Sequence, residues 1–496
     1  MTNFLLYDIL ILHSITQIRQ QNSIIENNKF SLYIVGANCV RPLDSPEFQA
    51  GDQGSPLQKI TIELALNKIK EQFIIMKIET QCIHEGYTPK NGEPRVVPIV
   101  QSTTYVYDST EEVAAVFDDP TKSLIYSRFE NPTVMAVEEK IAKLEGGIGA
   151  MCTSSGQAAS LLSILNICKA GDSIISSPQI YGGTINLFSF TLKKMGIECI
   201  YIDPEADEAE IDKAFKPNTK AVFGETIANP ALSVLDIEKF ASIAHRHNVP
   251  LIVDNTFATP VLCRPIDFGA DIVIHSTSKY MDGHAVQTGG VIVDSGKFDW
   301  TNGNFPEFTE PDESYHGISY TKSYGKAAYI VKARMQLMRD FGCYPAANSA
   351  FLLNLGLETL AVRMKQYCEN ALKVAKYFEK SDKVESVIYP GLESDKYHSL
   401  AEKYLKGSSG VISFVIKGGR NNAIKFMDSL KLASNEVHVA DIRTCVLHPA
   451  SETHRQLTDE QLAAAGINGG MIRFSCGLEN VDDIIEDIEQ AFANVD

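Results

Sequence analysis

The sequence lacks any C-x-x-C pair: its ten cysteines are scattered from Cys39 to Cys476. That spacing argues against both a structural zinc site and a disulfide framework and points to a reducing compartment. Basic charge is scarce as well, with 45 Lys and Arg against 62 Asp and Glu and a net charge of −17. So acidic a surface has no footprint for nucleic acid, and an anionic ligand must be held by a local pocket. No uninterrupted apolar run is long enough to span a bilayer. The first 13 residues are apolar but carry Asp8, lack a basic start and precede no small-residue cleavage site, so no secretory signal is expected. There is no internal repeat and no helix-turn-helix signature. These absences predict a soluble cytoplasmic protein with no metal, no membrane and no nucleic-acid partner.

What is present divides at Met76. Residues 1–75 are Gln/Asn/Ile-rich with a Pro/Gly/Ser segment at 42–56, and only 57–73 is patterned for a helix. This stretch reads as an appendage outside the fold. Beyond it, short apolar runs at 173–177, 199–202, 221–223, 251–253, 272–274 and 291–293 alternate with helical stretches such as 158–169 and 236–247. Alternation at this spacing implies βαβ units and a mainly parallel sheet covered on both faces. Residues 300–345, rich in Gly, Pro, Tyr and charge, read as a long excursion from that sheet, placed to act as a lid. A strongly helical 350–379 leads to strand signals at 411–416 and 472–475 and helices at 421–430 and 481–494, which predicts a smaller C-terminal α+β domain.

Four local features carry chemistry. His275-Ser276-Thr277-Ser278-Lys279-Tyr280 follows an apolar strand directly, where open α/β sheets bind ligands. A lysine there can form a Schiff base, and the flanking serines can bind phosphate. Asp254 ends another apolar strand 25 residues upstream, and a buried carboxylate must be paired. Ser155-Gly156-Gln157 opens a helix whose free N–H groups suit a phosphate. Tyr181-Gly182-Gly183-Thr184 places an aromatic ring in a turn, suited to stacking and proton transfer. Each feature alone is common in proteins with no such chemistry.

Their order and spacing resemble the Cys/Met-metabolism family of pyridoxal-phosphate enzymes. The resemblance covers some 420 residues from Met76 onward and adds Tyr126-Ser127-Arg128, Asn229-Pro230, His448-Pro449-Ala450-Ser451 with Thr453-His454, and Arg473-Phe474-Ser475-Cys476-Gly477. It implies the aspartate aminotransferase-like fold type I and pyridoxal 5'-phosphate as cofactor. By that resemblance Lys279 is the Schiff-base lysine and proton shuttle, Asp254 pairs with the pyridine nitrogen, and Asn229 lies near the ring 3-hydroxyl. Tyr181 stacks on the ring and assists proton transfer; Gly156, Gln157, Ser276 and Ser278 hold the phosphate; Arg473 takes the substrate α-carboxylate. Tyr126 and Arg128, in an arm over 76–135, are implied to reach a neighbouring subunit's cofactor, which makes a dimer, usually paired into a tetramer, the working unit. Residues 136–345 and 346–496 would then be the large and small domains.

Within the family, 302–317, Asn186-Leu187-Phe188 and 354–360 resemble the O-acetylhomoserine sulfhydrylase branch, and Gly183 stands where methionine γ-lyases carry cysteine. One departure is Ile227, where many members have proline. The resemblance implies replacement of acetate in O-acetyl-L-homoserine by sulfide or methanethiol. Cystathionine γ-synthase and γ-lyase activity remain alternatives, as does a catalytically silent binding protein on the same fold. The acyl group, the thiol and the choice of dimer or tetramer stay open at this point.

Overall fold

The computed structural model describes residues 33–36, 39–42, 76–118, 124–452 and 468–495. The chain divides into two compact units, Met1–Ile75 and Met76–Asp496. In the first, β1 (Tyr33–Gly36) and β2 (Cys39–Pro42) pair antiparallel with Gly36 opposite Cys39, a hairpin that the polar composition does not announce. The helix expected over 57–73 lies outside the described residues. Since the second unit has its own sheets and cores, removing residues 2–75 is expected to leave cofactor content, thermal midpoint and activity close to those of the full chain. Absorbance, thermal unfolding and a rate assay on both proteins check this; a large loss in any one would place the segment inside the fold.

The second unit is built on a seven-stranded sheet. Its strands are β3 (Gly149–Thr153), β4 (Ser173–Ser176), β5 (Glu198–Tyr201), β6 (Thr219–Glu225), β7 (Leu251–Asp254), β8 (Ile272–His275) and β9 (Gly290–Asp294). They run in the order β3-β9-β8-β7-β6-β4-β5, with β9 antiparallel to both neighbours and the other pairs parallel. Successive side chains of a strand point to opposite faces. Accordingly Leu251, Val253 and Val273 enter one core, while Ile252, Ile272 and Ile274 enter another across the sheet. Both faces being covered is why these strands read as unbroken apolar runs.

Helices α1 (Pro132–Glu145), α2 (Gly156–Leu165), α3 (Gly182–Asn186) and α4 (Ile237–Arg246) fall within this part of the chain. Three have side-chain N-caps: Asn131 Oδ1 accepts from Thr133 N–H, Ser155 Oγ from Ala158 N–H and Asp236 Oδ1 from Lys239 N–H. The stretch read as one helix over 350–379 is two, α5 (Ala347–Glu358) and α6 (Leu360–Lys380), parted at Thr359. From α6 the buried Arg363 donates to the carbonyls of Tyr280, Met281 and Gly356, fastening the segment that follows Lys279. Residues 300–345 are no lid. Trp300, Phe305, Phe308, Tyr320 and Tyr329 are buried in the second core, with the Trp300 ring stacked on those of Phe308 and Tyr329. Aromatic burial outweighs the loop-like composition there.

The smaller sheet comprises β10 (Val384–Ile388), β11 (Val411–Ile416), β12 (Ser434–Asn435), β13 (Cys445–Leu447) and β14 (Met471–Ser475), in the order β10-β11-β14-β13-β12. With α6, α7 (Gly419–Ser429) and α8 (Val481–Phe492) it encloses a third core around Phe378, Phe414 and Phe474. Three of its strands, β10, β12 and β13, carry no run long enough to show in the sequence. Among the described residues no helix is long and apolar enough to cross a membrane.

Candidate active site

A cavity of about 510 Å³ opens where β3, β6, β7 and β8 end. At the end of β3 the chain turns through Ser155 into α2, and the Ser155 cap leaves the N–H groups of Gly156 and Gln157 without a partner among the described residues at the helix start. Gly156 is required here, because a Cβ on it would lie 2.6 Å from the Cβ of Ser276. The close approach brings the helix start and the Ser276 hydroxyl to one spot, a cradle suited to a phosphate. Ser278 braces the far side: its Oγ accepts from Gly289 N–H at 3.0 Å and donates to Gly289 O at 3.3 Å.

Asp254 lines the cavity at the end of β7. Its Oδ1 accepts from Thr256 N–H at 2.9 Å and from Thr256 Oγ at 2.5 Å, and Thr256 Oγ in turn accepts from Ser276 N–H. Among the described residues Oδ2 has no hydrogen-bond partner. Burial raises the Asp254 carboxyl above its ordinary value, opposed by Thr256 and by nearby His275. A cationic ring nitrogen would supply the partner such a carboxylate needs. Behind the strand ends, His275 Nε2 meets Glu145 Oε1 at 2.6 Å with both side chains fully buried, and Asn255 donates to the same oxygen.

Lys279 is pushed down to about 8 by burial and by the Arg473 cation, so a large fraction of its amine is unprotonated in mildly alkaline solution. Its Nζ stands 3.3 Å from His438 Nδ1, whose imidazole is lowered in turn by burial and by Lys279. Arg473 comes from β14, between Ser413 and Leu447 of the flanking strands. It donates to His438 O at 2.8 Å, to Val437 O at 3.4 Å and to Asn229 Oδ1 at 3.4 Å, while its Nε is buried with no partner among the described residues. Tyr181, about half exposed, reaches the cavity from the turn before α3; a Cβ on Gly183 would strike its ring at 2.5 Å.

Nine of the residues expected from sequence thus meet around one cavity: Gly156, Gln157, Tyr181, Asn229, Asp254, Ser276, Ser278, Lys279 and Arg473. Tyr126 and Arg128 do not line it. The Arg128 guanidinium donates to Arg339 O and lies over the Tyr126 and Phe129 rings. His448 is buried, with Nε2 2.9 Å from Gly469 O, and Thr453 and His454 lie outside the described residues. Sequence reasoning missed Glu225, Thr256 and His438. Glu225 had a signal, an acidic residue closing an apolar strand as Asp254 does. His438 had none, since it sits beside a two-residue strand. The free N–H pair, the cradle that a Cβ would fill, the open Asp254 oxygen and the buried amine together fit pyridoxal phosphate.

Comparison with known proteins agrees. Residues 79–493 match the family model described as Cys/Met metabolism PLP-dependent enzyme. The chain is 42% identical over 430 residues to O-acetyl-L-homoserine sulfhydrylase of Leptospira meyeri, covering 84% of this chain and 97% of that protein. It is 46% identical over 421 residues to homocysteine synthase of Schizosaccharomyces pombe, covering 83% and 97%. A crystal structure from Campylobacter jejuni, assigned as an O-acetylhomoserine (thiol)-lyase and carrying a pyridoxyl-lysine phosphate, superposes with a TM-score of 0.81 at 37% identity, covering 84% of this chain and all of that one.

Proposed function

The chain belongs to the Cys/Met metabolism PLP-dependent enzymes, and from that membership we propose that it exchanges the acetate of O-acetyl-L-homoserine for sulfide, giving L-homocysteine and acetate. Pyridoxal phosphate, when bound, supplies an aldehyde for amines and a cationic ring that withdraws electrons from the substrate α-carbon. Gly156, Gln157, Ser276 and Ser278 would hold its phosphate, Asp254 its ring nitrogen, and Asn229 would lie near its 3-hydroxyl. Tyr181 would cover the ring face.

The remaining work falls to two side chains. Arg473 orients the substrate by its α-carboxylate, through the planar fork that matches a carboxylate. Lys279, held by burial in a state that readily gives up its proton, takes a proton at the α-carbon, passes it on within the site so that its amine is free again, and then takes one at the β-carbon, after which acetate departs from the γ-carbon. Sulfide adds at that carbon and the protons return. The reading extends to an assembly in which Tyr126 and Arg128 serve a neighbouring subunit's site, in a cytoplasmic dimer or tetramer.

The observation that carries the choice of thiol is the charge of the cavity wall. Among its described residues Arg473 is the only guanidinium, and Lys279, whose amine is lowered and serves as the base, is the only lysine. Asp312 and Glu313, the carboxylates that could have served a second amino-acid subsite, do not line the cavity, and Asp312 is occupied by Tyr320 and Gln336. An acceptor such as cysteine would leave its own carboxylate unpaired, at about 1–3 kcal/mol or more. Sulfide is therefore expected to outpace cysteine by roughly tenfold or more. Initial rates of homocysteine and cystathionine formation at matched thiol concentrations test this, with methanethiol as a third acceptor. Equal rates for sulfide and cysteine would make the protein a cystathionine synthase.

A further inference from the structure

Glu225 has no part in the chemistry above, yet it is a buried carboxylate in the wall of the cavity, beside Asp254 in the register of β6 and β7. A buried carboxylate needs partners for its oxygens. Oε1 accepts the N–H of Tyr181 at 2.7 Å, and Oε2 accepts the N–H of Asn229 at 3.3 Å. Both donors are main-chain groups, from two turns that share no strand. Each turn carries one residue that the proposed function sets against the cofactor ring. The Asn229 side chain also receives Arg473, and Pro230 O accepts from Ser413 Oγ at 2.8 Å. The Asn229 turn is thus held from the large sheet by Glu225 and from the small sheet by Arg473 and Ser413.

We propose that Glu225 is a positioning residue for the reaction: each carboxylate oxygen holds the backbone of one ring-facing residue, Tyr181 or Asn229, and through Asn229 it sets the guanidinium that binds substrate. The inference rests on the functional reading above for the roles of Tyr181, Asn229 and Arg473. Burial, and then the Asp254 charge, push the Glu225 carboxyl upward, and the N–H groups of Tyr181 and Asn229 oppose that shift by bonding its charged form.

Glu225→Gln tests it. The amide keeps the side chain's size but has one acceptor; its nitrogen would face an N–H that it cannot bond. The shorter contact to Tyr181 is expected to keep the oxygen, so Asn229 loses its acceptor. In the holoenzyme, KM for O-acetylhomoserine should rise roughly tenfold with a smaller change in kcat. The resting absorption maximum of the bound cofactor should also move. Asn229→Ala should show both changes, and the double variant should be no worse than Asn229→Ala alone. A Glu225→Gln protein indistinguishable from wild type overturns the proposal. So do effects that multiply in the double variant, because Glu225 would then act elsewhere.

Should Glu225→Gln fail to fold, Glu225→Asp keeps both acceptors on a shorter reach. It must then show the same spectral displacement, absorbed in the same way by Asn229→Ala; an unmoved spectrum overturns the proposal. The resting spectrum needs no substrate. An unmoved spectrum therefore counts against Glu225 whatever the substrate is, whereas inactivity on O-acetylhomoserine with the spectral coupling intact counts against the substrate assignment alone.

Discussion

Lys279→Ala is expected to abolish turnover while the protein still folds and still takes up pyridoxal phosphate. Lys279 lies in the cavity with its amine lowered to about 8, and loss of a positioned proton-transfer group costs on the order of 10²–10⁴-fold by itself. Its covalent role adds to that loss. The phosphate cradle of Gly156, Ser276 and Ser278 does not depend on the lysine, and the segment after it stays fastened by Arg363. Steady-state rates, cofactor absorbance and thermal unfolding of the variant give the comparison. Borohydride reduction of the wild type followed by peptide mapping should put the cofactor on the peptide containing Lys279. A label on a different lysine sinks the assignment.

Arg473→Ala is expected to raise KM for O-acetylhomoserine by about 10–150-fold, the range that follows from losing a charge-assisted hydrogen bond of about 1.5–3 kcal/mol. Arg473→Lys should recover only part of this, since it keeps the charge and loses the fork. The alanine variant also strips donors from Val437 O and His438 O, so its thermal midpoint should fall. The lysine variant separates that structural loss from the loss of substrate binding. An unchanged KM in both variants would remove Arg473 from the substrate site, and with it the argument that only one amino-acid carboxylate can be held.

Much of the site was legible because its chemistry sits at strand ends. Asp254 and Lys279 each follow an apolar run that the parallel sheet buries on both faces, and burial is what makes those runs conspicuous. Gly156 was legible as a helix start, although its reason, the 2.6 Å approach of Ser276, is a distance that sequence does not contain. The reading of 300–345 as a lid failed because Gly, Pro and charge in that stretch mark its turns, while Trp300, Phe305, Phe308 and Tyr329 are core residues spaced too irregularly to signal a helix or a strand.

The sequence by itself determined the succession β4 to β9 in the large sheet, though not β3, together with the residue types at the ends of β7 and β8, and the family. Local propensity, apolar periodicity and short motifs are properties of neighbours along the chain. The tertiary structure alone decided which distant groups face one another. β9 runs antiparallel between β3 and β8 and so brings the α2 start to Ser276; β14 carries Arg473 to Asn229 across 244 positions; His438 comes within 3.3 Å of Lys279 across 159. The electrostatics follow the same division. A lysine is visible in the sequence, but its lowered amine comes from burial and from the Arg473 charge, and both exist only once the two sheets have closed on the cavity.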